Sequence, residues 1–124
     1  MIHPVHIDIF GRSVVLVKGE TKDSFFRKIK GKIEIPEKHI EQLKSAFNDL
    51  EIKNVGACAV DIGDQVIIFR KEIKIDYLVH ELVHAIDAIC ITLGINDTET
   101  RAYMIQYLFN QFSSFVDNNT KRRG

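Results

Sequence analysis

Residues 77–87 read Tyr-Leu-Val-His-Glu-Leu-Val-His-Ala-Ile-Asp, and this stretch decides what the chain folds around. The apolar run holding it extends from Ile75 to Leu93 without a glycine or proline, and Gly94 follows. That pattern predicts one continuous helix, closed by a residue suited to the left-handed position past a helix end. Set into it are His80, Glu81, His84 and Asp87, at offsets of zero, one, four and seven. On a helix of 3.6 residues per turn these four lie close to one face. The other side chains from Tyr77 to Ile91 are apolar or nearly so, so the helix is expected to be enclosed on most sides. A polar group taken into such surroundings carries a desolvation cost unless it finds a partner.

A metal ion is the partner that fits this spacing. His80 and His84, one turn apart, can aim both imidazoles at one point, as two nitrogen ligands of a tetrahedral Zn²⁺ require. Glu81 lies about 100° round the helix from His80. It is poorly placed as a ligand but well placed to reach a water in the metal's open position. This is the HExxH arrangement of zinc hydrolases, with Glu81 as general base. The same ion could instead be purely structural. A metal-free core helix would have to satisfy all four polar groups of the stripe by other means.

A catalytic zinc needs three protein ligands. Asp87 lies roughly 10 Å beyond His80 along a continuous helix axis, so it suits a supporting role. There it would accept a hydrogen bond from a ligand imidazole or fix the neighbouring helix. Past Gly94 the chain restarts as Asn96-Asp97-Thr98-Glu99-Thr100-Arg101-Ala102. An antiparallel helix beginning there could return a carboxylate toward His84. Glu99 is the candidate third ligand, with Ala102 one turn on allowing close approach, and Asp97 is a more distant one. With Asn96 as N-cap, Glu99 could instead complete a capping box at the third helical position.

Upstream, Val5 to Phe10 alternates loosely, Gly11-Arg12 breaks the run, and Ser13 to Val17 resumes it, which predicts a hairpin. Thr21 to Lys30 is read as a short helix around Phe25, Phe26 and Ile29. Pro36 to Leu50 is a clearer helix, with Ile40, Leu43, Phe47 and Leu50 on one face. Gly56 to Ile62 and Gln65 to Phe69, joined by Gly63-Asp64, predict a second hairpin. A last helix runs from about Thr98 to about Val116. Hairpin, helix, hairpin, helix, helix makes the fold class α+β with an antiparallel sheet.

At 124 residues, 45% hydrophobic and 27% charged, the chain is one globular domain, residues 1–124, with 118–124 expected as a flexible tail. Seventeen basic against seventeen acidic residues give no global field toward nucleic acid or anionic lipid. Cys58 and Cys90 sit in apolar runs without CxxC spacing and read as small core residues. The first residues lack the pattern of a signal peptide, and no apolar run reaches bilayer-spanning length. A cytoplasmic location is the expectation.

The chain resembles the zincin metallopeptidases on "LVHELVHAID", the glycine turn and "ETRAY". Within them it is similar to the gluzincins, where a Glu on the following helix supplies the third ligand, and to small zincin-like domains encoded by bacteriophages and mobile elements. The resemblance implies a minimal zincin-like fold: an antiparallel sheet of two hairpins against an active-site helix and a C-terminal helix. It implies a zinc-dependent endopeptidase cleaving peptide or protein substrates through a zinc-bound water. His80, His84 and Glu99 would be ligands and Glu81 the base. It also implies that an extended substrate pairs with a sheet edge just before the active helix, at Gln65, Val66, Ile67 and Ile68. The spacing from His84 to Glu99 is shorter than in the large thermolysin-like enzymes, and no histidine follows the motif to stabilise an oxyanion, leaving Tyr103 or Tyr107. The alternative is a zinc-stabilised module that binds or regulates a partner, for instance as a phage accessory protein.

Overall fold

The structure, a computed structural model, describes residues 1–30, 35–52, 57–62, 65–70 and 74–116. In chain order it contains β1 (Ile2–Ile7), β2 (Arg12–Lys18), α1 (Lys22–Ile29), α2 (Glu37–Ile52), β3 (Ala57–Asp61), β4 (Gln65–Arg70), α3 (Ile75–Leu93) and α4 (Thr98–Phe112). Short 3₁₀ turns cover Asp8–Phe10 and Ser113–Phe115. The α+β class holds, and both hairpins form. The expected tail, 118–124, lies outside the described residues, as does the Gly63-Asp64 turn. Among the described residues, no helix is long and apolar enough to cross a membrane.

The sheet differs from the expectation of a purely antiparallel one. Its strand order is β1-β2-β4-β3, and β2 pairs with β4 in parallel, Val14 beside Val66 and Leu16 beside Ile68. The cause is burial on both faces. Val14 to Val17 are all 1% exposed or less, and Val66 to Ile68 are buried as well. Such unbroken apolar runs mark strands covered on both sides, as in parallel pairings. Alternate residues therefore feed two cores. Val14, Leu16, Val66 and Ile68 face the layer of α3 and α4. Val15, Val17 and Ile67 face that of α1 and α2, meeting Phe25, Leu43 and Phe47.

The same topology corrects the expected substrate edge. β4 is paired to β2 on one side and β3 on the other, so its backbone groups are already engaged. Val66, Ile67 and Ile68 are core residues. Among the described strands, β1 and β3 are the edges.

Helix boundaries follow local chemistry. Thr21 caps α1, exchanging bonds with Ser24 in a capping box. α3 ends at Gly94, whose φ of 71° is the left-handed conformation read from the sequence. Ile95 then donates its N–H to the Cys90 carbonyl at 2.8 Å. Cys90 is fully buried against α4, and burial pushes its thiol pKa up. That matches its reading as a core residue.

Glu20 ties the start of the chain to α1. Its side chain is 3% exposed, and Oε2 accepts from the Met1 amino group and from Lys28 Nζ, the latter at 2.8 Å. Ser24 Oγ donates to Oε1 at 2.6 Å. The Lys28 bond, then those of the amino group and Ser24, hold the Glu20 carboxyl pKa down, at about 2 instead of 4.5. A carboxyl whose folded pKa is depressed contributes stability that is full above its unfolded pKa and is lost as pH falls through the folded one. Glu20→Gln is therefore expected to lower stability by about 1–3 kcal/mol at neutral pH. The gap between parent and variant should close on acidification from about pH 5 toward pH 2, as read by urea unfolding at a series of pH values.

Candidate metal centre

α3 places the HExxH residues by burying one side and leaving the other open. Leu78, Leu82, Ala85, Ile86 and Ile89 pack toward the sheet. His80 and His84 point away from it, and the His80 side chain is 65% exposed. Here the structure corrects the expected enclosure. Tyr77, Val79, Val83 and Ile91 also stand exposed, at 40%, 41%, 39% and 75%. The histidines thus sit on an open face with apolar neighbours, while Glu81 is buried, at 7% exposed.

The two imidazoles meet. Their Nε2 atoms are 3.1 Å apart, with ring centroids at 4.7 Å and planes near perpendicular. Two facing lone pairs repel, so either one ring carries its proton on Nε2 or a shared cation lies against both. A separation of 3.1 Å suits an N–H···N hydrogen bond and is also close to what a shared zinc would require. Two nitrogens bound to one tetrahedral zinc at about 2.0–2.1 Å stand about 3.3 Å from each other. Glu81 Oε1 is 3.9 Å from His80 Nε2. A carboxylate this buried is unusual without a charged partner, and here it lies beside the point where the imidazoles converge.

The remaining candidates are placed differently. Asp87 Oδ1 accepts from Arg101 Nη1, and Arg101 Nη2 also reaches the Ile95 carbonyl at 3.3 Å. Asp87 therefore fixes the neighbouring helix, one of the two roles expected of it, by clamping α4 and the intervening turn to α3. Arg101 went unnoticed in the sequence, because a pair 14 residues apart across a turn has no periodic signature.

Asp97, not Asn96, caps α4, accepting from the N–H groups of Glu99 and Thr100 at 3.3 Å and from Thr100 Oγ1 at 2.7 Å. The Thr100 hydroxyl bond, then the Glu99 amide, lower its carboxyl pKa. These bonds already engage the Asp97 carboxylate. Glu99 falls at the second helical position, so the alternative of a capping box with Asn96 does not form, and Glu99 is exposed. Among the described residues, no group of three His, Cys, Asp or Glu side chains is assembled to hold a metal. Glu99 is thus on the expected helix but is not gathered with the histidine pair.

Tyr103 and Tyr107 line a different feature. With His6, Asp8, Phe10 and Met104 they border a groove of about 470 Å³ between the β1–β2 turn and α4. No protein-family model matches the chain, and no curated protein or solved structure matches it.

Proposed function

We propose that the chain is a zinc-dependent metallopeptidase of the zincin type, cleaving peptide bonds at the His80–Glu81–His84 face. The observation that carries this reading is the meeting of the two Nε2 atoms at 3.1 Å beside the buried Glu81 carboxylate. His80 and His84 would hold the ion, with Glu99 as the third ligand. When bound, zinc supplies a Lewis acid that polarises a peptide carbonyl and makes water a better nucleophile. Glu81 accepts the proton of the attacking water and delivers it to the departing amine. Asp87, held by Arg101, keeps α4 and so Glu99 close to α3. Hydrolysis of casein or a fluorogenic peptide library that stops with chelator and returns with zinc is the expected result. Folded, zinc-loaded protein that cleaves no peptide would overturn the enzymatic part.

The second reading, a zinc-stabilised binding module, is favoured by the apolar exposure of Val79, Val83 and Ile91. It predicts the same zinc dependence of stability without hydrolysis.

Glu99 and Asp87 separate by affinity and stability. Glu99→Gln is expected to weaken zinc binding by more than about tenfold with little loss of stability, since its side chain caps nothing. Asp87→Asn is expected to cost about 0.5–1 kcal/mol by loosening the α3–α4 clamp, whose side chains are 27% and 46% exposed, with zinc affinity within about twofold of the parent. Asp97→Asn should leave affinity unchanged. Zinc titration against a competing chelator, paired with thermal melting, checks all three.

A further inference from the structure

We propose that zinc can bridge two copies of this chain through α3, each copy contributing His80 and His84 to a single four-nitrogen site. The proposal rests on the zinc-binding part of the reading above but not on hydrolysis. The pair converges on one point from an open, convex helix face, with Nε2 atoms 3.1 Å apart and the His80 side chain 65% exposed. An ion seated there directs its remaining coordination positions outward, where another molecule arrives. A tetrahedral zinc takes four ligands, and imidazole nitrogen is among its preferred donors. Two such pairs related by a two-fold axis fill the shell with no other group, in the isologous arrangement usual for dimers.

The surroundings of the pair suit a second copy. Ile91 and Tyr77 lie within about 40° of the pair's mean direction round α3 and Val83 about 80° to one side; all three are exposed, so two copies crossing at the ion would each cover the other's apolar residues. Tyr77 to Ile91 spans about 21 Å of helix, enough to flank the ion on both sides. Equal numbers of basic and acidic residues leave no net repulsion between copies. Asp87, the acid one turn beyond His84, is held by Arg101. Glu81 lies beneath the pair, 7% exposed, and does not obstruct the approach. With four nitrogens on the ion no position remains for Glu99 or for water, so the second pair displaces both. The bridged pair is then a resting form, and hydrolysis belongs to the single chain.

Sedimentation velocity of the metal-free chain across a Zn²⁺ titration tests this. The expected result is a dimer most abundant at one ion per two chains. It should revert to monomer in excess zinc, where each histidine pair takes its own ion. His84→Ala should stay monomeric throughout. Val83→Glu should retain one zinc per chain while weakening dimerisation by at least about tenfold. A parent that stays monomeric while binding one zinc per chain would overturn the bridge and leave the metal reading standing. Mass that climbs with zinc in parent and His84→Ala alike would overturn it as non-specific association. A chain that binds no zinc would remove both readings.

Discussion

Glu81→Gln is expected to abolish peptide hydrolysis, by about 10²–10⁴-fold in kcat, while leaving zinc affinity and fold intact. The amide is nearly the same size as the carboxylate and cannot take a proton from water at neutral pH. Glu81 lies in the sheet-facing half of α3, 7% exposed, with Oε1 3.9 Å from His80 Nε2. It is therefore close to the two histidines but set back from the point where their Nε2 atoms meet. A neutral amide avoids the desolvation cost of a buried charge, so stability should be unchanged or slightly higher. Fluorogenic peptide kinetics and zinc titration on one preparation read both halves. Activity near that of the parent would remove Glu81 as the base, whatever the metal does.

His84→Ala carries the second large effect. One imidazole cannot chelate, so zinc affinity should fall by orders of magnitude, and with it the stability that zinc confers. A ligand present at 100 times its Kd stabilises the folded state by about 2.7 kcal/mol. The parent should thus melt higher with zinc than with chelator, and His84→Ala should melt alike in both. Without metal the substitution itself should be mild, because His84 is exposed and outside the core. A matching loss for His80→Ala is expected from the symmetry of the pair.

How far these features could be read from the sequence depended on whether the signal was local. α3 was legible to the residue, Ile75 to Leu93, because an uninterrupted apolar run met a glycine at the one place that a left-handed residue was needed. The convergence of His80 and His84 follows from i,i+4 spacing alone. The pairing of β2 with β4 was not legible. Val14 to Val17 and Val66 to Ile68 announce burial on both faces, but not which strand lies alongside. That neighbour is fixed only when α1 and α2 cover one face and α3 and α4 the other. The same long-range choice placed β4 inside the sheet and left β3 as the edge.

Within the site, exposure was the hidden variable. Val79 and Val83 read as core by composition, yet they stand on the open side of α3 with the histidines. At the start of α4, Asn96, Asp97 and Thr98 are all competent caps, and spacing cannot rank them. Asp97 prevails by bonding two backbone amides and the Thr100 hydroxyl, which moves Glu99 one position earlier in the helix frame.

His80 and His84 are proposed to hold one four-coordinate metal ion. Cobalt(II) tests it most directly, because its visible absorption reports coordination number and it occupies zinc sites. Adding Co²⁺ to the metal-free chain should give the intense absorption of a tetrahedral ion, bleached by one equivalent of Zn²⁺ and missing from His80→Ala/His84→Ala. Only the weak absorption of hydrated, six-coordinate cobalt, the same in parent and double variant, would contradict it.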